Sequence, residues 1–289
     1  MTSYSPELSV AIELAKEAGA VILEKRTEAL KDIQEKADNE GPVTEADLAA
    51  DALIRAGLKD AFPDDTVITE ETWPSASTPL PHDERMWIVD PLDGTSDFSR
   101  GGSDYVVMIG LCVSGQPTVG VVYHPVSETC WSGAKDANGQ TQASKTAQGQ
   151  TYPLQARAFD STQPRALISR SHPSKTIDQM LTNLGLNDRL TLGSVGLKAG
   201  AIADGEADIY LTATNKIKIW DTCAPQVILE AVGARMTNLL GAPLRYDQKA
   251  AHPTGICAAS ADAFDYFQPK INTLWEERTR KKSFKVSAP

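Results

Sequence analysis

The chain has 289 residues, 38 of them Asp or Glu against 28 Lys or Arg, and a net charge of −10 with histidines neutral. That balance excludes a nucleic-acid polymer or an anionic membrane surface as partner, since both require a basic face, and leaves room for a small anionic substrate where metal ions reverse the sign locally. With 41% hydrophobic residues over this length, the chain builds a core without staples, as one large domain or as two halves.

The opening MTSYSPELSV lacks the charged and apolar regions of a signal peptide, and no apolar run approaches the ~18 residues of a membrane span. The expectation is a soluble cytoplasmic protein with no integral membrane association. Apolar residues at Leu8, Ala11, Leu14, Ala15, Ala18, Ile22 and Leu23 recur at a helical period and predict a helix over Ser5–Arg26, with Ser5 as N-cap and Pro6 in the first turn. The polar loop KADNEGPVTEAD (Lys36–Asp47) leads into a second helix running from Thr44 to about Phe62. Thr44 with Asp47 three residues on resembles a capping box, and read by itself Asp47 is a capping residue. Thr66–Thr69 (TVIT) is a short strand with Glu70 and Glu71 at its end, and the Pro- and Ser-rich Trp73–Glu84 reads as an exposed loop.

The stretch MWIVDPLDGTSDFSR (Met86–Arg100) carries the strongest chemical signal. Met86–Val89 predicts a buried strand that delivers Asp90 at its end. Pro91 cannot donate to a ladder, so the chain is expected to turn there and carry Asp93 back towards Asp90. Gly94 removes a side chain that would hold a ligand off the backbone, and Thr95–Phe98 predicts a helix start whose free N–H groups suit an anion. Carboxylates beside an anion site repel a phosphate unless cations stand between them, so the stretch reads as a magnesium site that handles phosphate. The same residues also make an ordinary turn with an N-cap, and alone they do not decide. If the strand before Glu70 neighbours this one, the acids of both meet at one sheet edge.

Tyr105–Val113, Thr118–Tyr123 and Thr129–Ser132 predict strands of an antiparallel meander. Lys135–Thr151 is poor in large apolar residues and predicts a solvent-exposed excursion, with a boundary near Ala156. The expected division is therefore 1–155, an α+β half, and 156–289, an α/β half. In the second half the pattern predicts strands at Arg165–Ser169, Asp208–Thr212 and Gly255–Ala258. Helices are predicted at Ser174–Leu184, Val195–Asp204, Asp221–Val232 and Ala261–Arg278, the last ending in basic residues that suit its dipole. Asp221 reads as a helix N-cap and equally as a carboxylate held rigid for a metal. Lys198 alone reads as a solvated charge. Cys112, Cys130, Cys223 and Cys257 form no CxxC pair and read as free, buried thiols of a reducing compartment.

DPLDGT at Asp90–Thr95, Trp220–Asp221 and, after eleven residues, Gly233 together resemble the lithium-sensitive, magnesium-dependent phosphatases of the inositol monophosphatase superfamily. KADNEGPVTEAD, ISRSH (Ile168–His172), GSVGLK (Gly193–Lys198) and WDTCAP (Trp220–Pro225) are most similar to the 3'(2'),5'-bisphosphate nucleotidases of the CysQ kind. The resemblance implies an αβαβα five-layer sandwich, of mixed α/β class, with two or three Mg2+ ions at the junction of its halves. It implies hydrolysis of adenosine 3',5'-bisphosphate (PAP) to AMP and phosphate, in sulfur metabolism, with 3'-phosphoadenylyl sulfate (PAPS) open as a further substrate. By the same resemblance Glu70, Asp90, the Leu92 carbonyl, Asp93 and Asp221 ligate metal, while Asp47, Glu70 and Thr95 prepare the attacking water. Gly94, Thr95, Ser171, His172, Ser194, Lys198, Trp220 and Asp221 would contact substrate. The chain departs from the family in placing Ala234, not a second glycine, after Gly233, which questions the backbone at that helix end. An inositol monophosphatase or inositol polyphosphate 1-phosphatase would share the acids, and a non-catalytic binder of phosphorylated ligands is the alternative outside enzymes.

Overall fold

The structure is a computed structural model and describes residues 4–29, 34–35, 42–75, 78–81, 83–136, 138–154 and 158–286. The first half opens with helix α1 (Ser5–Ala29), a two-residue pair β1 (Gln34–Glu35) and β2 (Pro42–Val43), and helix α2 (Glu45–Ala61). A sheet follows, built from β3 (Thr66–Thr69), β4 (Arg85–Asp93), β5 (Val106–Val113), β6 (Gln116–His124), β7 (Thr129–Lys135), β8 (Thr141–Ala147) and β9 (Gln150–Pro153), with the short helix α3 (Thr95–Ser99) after β4. The strands lie in chain order across the sheet, β3 parallel to β4 and each later neighbour antiparallel.

The second half comprises β10 (Arg165–Ser169), α4 (Lys175–Asn183), β11 (Asp188–Leu192), α5 (Val195–Ala203), β12 (Ile209–Thr212), α6 (Cys223–Ala231), β13 (Arg235–Asn238), β14 (Ile256–Ala259) and α7 (Ala261–Val286). Its sheet has the order β11-β10-β12-β14-β13, with β10 parallel to both neighbours and β14 antiparallel to both of its own.

Strand alternation sorts these elements into layers. On β4 and β5, Trp87, Val89, Val107, Ile109 and Leu111 pack with Ala11, Ala15, Ala18 and Ile22 of α1 and Ala50, Ile54 and Leu58 of α2. The intervening Met86, Ile88, Met108 and Cys112 face the other way, onto Leu197 and Ala201 of α5 and Cys223 and Ile228 of α6. The far side of α5 and α6 meets Leu167, Tyr210 and Ala258 of the second sheet. That sheet turns Ala166, Ile209, Leu211 and Cys257 to α4 and α7. The result is the expected αβαβα sandwich, with α5 and α6 as its middle layer. Close seating of α6 rests on Gly110, Gly120 and Gly133, which are cross-strand partners; a Cβ on Gly120 would lie 2.3 Å from the Ala224 carbonyl.

Several expectations need correction. The strand with Met86–Val89 does not end before Pro91 but continues to Asp93 through an irregularity. Lys135–Thr151 is exposed only in part: it contains the hairpin β8–β9 at the sheet edge, with Thr141 and Gln142 exposed, the rest of β8 half-buried and Ala143 packed on the central core. Strands β11 and β13 were not anticipated, Leu23 on α1 is 39% exposed, and Leu80 in the expected loop is buried in the central core. Asp221 lies ahead of α6, whose cap position is Thr222. Ala234 is accommodated: Gly233 takes φ +78°, its N–H donates to the Glu230 carbonyl, and the Ala234 N–H donates to the Leu229 carbonyl, a Schellman closure that needs glycine only at the first position. The boundary expected near Ala156 and the Lys36–Gly41 part of the polar loop lie outside the described residues. All four cysteines are free and buried, and among the described residues no helix is long and apolar enough to cross a membrane.

Candidate active site

The irregularity in β4 creates the acidic centre. Residues three apart on a regular strand face opposite sides. Here Asp90 pairs with Met108 and Asp93 with Val106, so one extra residue is inserted and both carboxylates emerge on the side of the middle layer. Pro91 occupies the bulge, where no ladder N–H is required. Asp221 arrives from the other half of the chain, between β12 and α6. One carboxylate oxygen from each of Asp90, Asp93 and Asp221 lies within 4.8 Å of the others. Asp90 is 1% exposed. Burial, then the Asp93 charge, pushes the Asp221 carboxyl well above the usual carboxylate range. The Lys218 backbone N–H donates to Asp221 Oδ2 at 2.6 Å and fixes its orientation.

Glu70 follows β3, whose parallel pairing with β4 brings it to the same sheet edge; its N–H donates to the Val89 carbonyl at 3.1 Å. It lines the same cavity and its charge acts on Asp221, although it stands outside the 4.8 Å group. Leu92 also lines the cavity, and its carbonyl accepts from Thr95 Oγ1 at 3.1 Å. Hard carboxylate and carbonyl oxygens without a sulfur or imidazole among them fit a divalent cation such as magnesium. Carboxylates gathered this tightly repel one another, and a cation among them relieves that repulsion.

Asp47 holds both of the positions the sequence left open. Its Oδ2 accepts from the Thr44 N–H at 3.0 Å and the Thr44 hydroxyl at 2.6 Å, completing the capping box of α2. Its Oδ1 lies 3.3 Å from Thr95 Oγ1, which donates towards it. Thr95 lines the cavity; Asp47 stands behind it. Gly94 is required for a reason the sequence did not reveal: at φ +107° a Cβ would lie 2.4 Å from the Asp104 carbonyl oxygen.

The cavity, about 550 Å³, opens at the carboxyl ends of β10 and β12. There the connection through α4 leads to one side of β10 and that through α5 to the other, which makes β10 the switch point of this sheet, the ordinary place for a ligand crevice. Gly94, Ser171, His172, Lys198 and Trp220 line it as expected, and so do Lys175, Lys216 and Lys218, which the sequence reading did not single out although Lys216 and Lys218 stand beside the Trp220–Asp221 motif. The second half thus supplies cations to a cavity floored by acids. Lys198 is no solvated charge: it is 1% exposed, its Nζ donates to the Gly193 and Ser194 carbonyls at 2.8 Å, and burial lowers its pKa to about 8. Burial, then Lys216 and Lys198, lowers the His172 pKa.

Ser194 does not line the cavity. It is fully buried as the N-cap of α5, accepts from the Leu197 N–H, and donates to Asp93 Oδ2 at 2.5 Å, where the Gly196 N–H also donates at 2.9 Å. The expected substrate contact is therefore replaced by a hold on an acid of the cluster. A second junction was also missed. Arg170 Nη1 lies 3.0 Å from Asp97 and 2.8 Å from Asp104, Ser171 donates to Asp97, and the Gly193 N–H donates to Asp104.

With this geometry in view, the comparisons are consistent with one another. The model of the Inositol monophosphatase family matches residues 3–276. The 3'(2'),5'-bisphosphate nucleotidase CysQ of Escherichia coli O157:H7 is 37% identical over 235 residues, covering 81% of this chain and 91% of that protein. Among solved structures, the Thermotoga maritima IMPase TM1415 shares the fold at TM-score 0.76 and 20% identity, covering 94% of this chain and 98% of that one. CysQ from Bacteroides thetaiotaomicron gives TM-score 0.71 at 25% identity, covering 88% and 97%. The chain belongs to the inositol monophosphatase family.

Proposed function

We propose that this chain is a magnesium-dependent phosphomonoesterase, a 3'(2'),5'-bisphosphate nucleotidase that converts adenosine 3',5'-bisphosphate to AMP and phosphate, acting in the cytoplasm in sulfur metabolism and sensitive to lithium. The observation that carries the reading is the meeting of Asp90 and Asp93 with Asp221, from opposite halves of the chain, in one cavity that also presents Lys175, Lys198, Lys216 and Lys218. Acids answer to cations and one phosphate; the lysines answer to a second phosphate, which a monophosphate ester does not carry. The name of the nucleotidase relatives supports the substrate class. Residues 1–155 and 156–289 are the two proposed domains, the first bearing most of the metal ligands.

Two or three magnesium ions, held by Glu70, Asp90, the Leu92 carbonyl, Asp93 and Asp221, would polarise the scissile phosphate and bring a water to ionise near neutral pH. Ser194 and the Gly196 N–H donate to Asp93 Oδ2 and hold in place the carboxylate that would ligate metal. Thr95, whose single hydroxyl proton lies between the Leu92 carbonyl and Asp47 Oδ1, keeps its oxygen lone pairs for the attacking water and so aims that water at phosphorus. Asp47, clamped by Thr44, holds this arrangement from behind. The N–H groups of Gly94 and Thr95 take phosphate oxygens whose charge redistributes in the transition state. Ser171, His172, Lys198 and Trp220 contact the nucleotide part.

Phosphate release from adenosine 3',5'-bisphosphate, 3'-phosphoadenylyl sulfate and inositol 1-phosphate, at defined magnesium with and without lithium, tests the proposal. The expected result is magnesium-dependent hydrolysis of the bisphosphate with the highest kcat/KM. Preference for the inositol ester would reassign the substrate, and no release from any ester would point to a binding protein.

A further inference from the structure

A segment outside the cavity ties the two acid-bearing arms together. On one side of Tyr246–His252, the Leu80 N–H donates to the Gln248 carbonyl at 3.0 Å and Pro79 bridges Lys249. Those residues lie downstream of Glu70 in the chain. On the other side, the Ile219 N–H donates to the Ala250 carbonyl and the His252 N–H to the Ile217 carbonyl, each at 2.8 Å, with Lys218 bridging Ala251. Lys218 is the residue whose N–H orients Asp221.

The segment is itself pinned by buried hydroxyls. Tyr246 Oη lies 3.0 Å from Thr222 Oγ1 and 2.8 Å from Gln226 Oε1, and Thr222 Oγ1 lies 2.8 Å from His252 Nε2. Tyr246 and Thr222 are fully buried and His252 nearly so. Thr222 is adjacent to Asp221 in the chain. A polar network without access to water holds one geometry, because any displacement leaves a buried donor or acceptor unpaired.

We infer that Tyr246–His252 is a strap that keeps the Glu70 arm and the Asp221 arm in register, and that Thr222, Tyr246 and His252 are positioning residues for the cation cage. The inference rests on the reading of those acids as metal ligands. Magnesium demands near-octahedral oxygen placement, so a small shift of Asp221 relative to Asp90 and Asp93 lowers affinity while leaving the fold intact.

The test is direct Mn2+ binding to the metal-stripped, full-length protein, followed by the electron paramagnetic resonance signal of free Mn2+, beside thermal unfolding of each variant. Thr222→Val and Tyr246→Phe are expected to weaken Mn2+ binding about 10-fold. Thr222→Ser, which keeps the hydroxyl, is expected to restore it to within about 2-fold. Ile271→Ala, a cavity in the outer core beneath α7, lowers the unfolding midpoint with Mn2+ affinity unchanged. Wild-type affinity in folded Thr222→Val, or equal weakening in Ile271→Ala, overturns the strap alone. Absence of Mn2+ binding in the wild-type protein overturns the strap together with the metal reading beneath it.

Discussion

Replacing Asp221 with Asn should act in opposite directions on the metal-free and the magnesium-loaded protein. Carboxylate oxygens of Asp90, Asp93 and Asp221 lie within 4.8 Å of one another, and two unit charges at such a separation repel by about 3 kcal/mol at an effective dielectric of about 20. Burial compounds that repulsion and raises the Asp221 pKa well above its ordinary 3.8. A carboxyl raised in this way leaves the native state less stable as pH rises from the unfolded value through the folded one, so the cost is absent in strong acid and present near neutrality. Asparagine retains the shape and a carbonyl oxygen for the Lys218 N–H while removing the charge. In EDTA at neutral pH the variant is expected to gain about 1 to 3 kcal/mol of unfolding free energy. With magnesium at a hundredfold excess over its Kd the wild-type protein gains about 2.7 kcal/mol, and the variant gains little of it. Urea denaturation followed by tryptophan fluorescence, in EDTA and in magnesium, reads both effects. A variant less stable than wild type in EDTA, or one that keeps the full magnesium stabilisation, would refute the reasoning.

Thr95→Val removes the hydroxyl between Asp47 and the cavity and should lower kcat about 100-fold with Mn2+ affinity retained; unchanged turnover contradicts its role. Arg170→Ala breaks the junction with Asp97 and Asp104, and because the arginine side chain is 43% exposed the stability loss should stay near or below about 1 kcal/mol. Its effect should appear in KM, through the adjoining Ser171 and His172; a fall confined to kcat would be the wrong outcome. Burial lowers the His252 pKa to about 4 from 6.5. Protonation therefore costs the native state: stability is intact above pH 6.5 and falls as pH drops towards 4, by roughly 3 kcal/mol in all at about 1.4 kcal/mol per pH unit. His252→Gln should remove that contribution, so that the gap between wild type and variant narrows from pH 7 to pH 4.5; parallel stability curves would exclude it.

What was legible in the sequence follows the range of the interaction. Thr44 with Asp47, and Ser174 and Ser194 ahead of their helices, act within a few residues and mark their elements closely. The continuous burial of β5 and β6 and the bounds of β10 follow from their apolar, β-branched composition. The hairpin β8–β9 escaped because an edge pair needs only backbone hydrogen bonds, so its side chains are free to be polar. Strand β11 carried a usable signal in Leu190 and Leu192, which alternate and pack on the central core. Among the site residues, Asp90, Asp93 and Asp221 were legible through their motifs, whereas their arrangement was not. The bulge that turns Asp90 and Asp93 to one side depends on pairing with Val106 and Met108. The bond from Ser194 to Asp93 spans 101 positions, a distance over which no periodicity or propensity speaks. The strap belongs to the same class, because backbone pairing of Leu80, Ile217 and Ile219 with Gln248–His252 leaves no trace in residue type.

Crystals of the protein grown in Mn2+ and measured near the manganese absorption edge test the central claim most directly. The account predicts anomalous density bounded by the carboxylates of Asp90, Asp93 and Asp221, with Glu70 completing the shell of at least one ion. Protein that binds Mn2+ elsewhere, with those acids unligated while phosphate release proceeds, would contradict it.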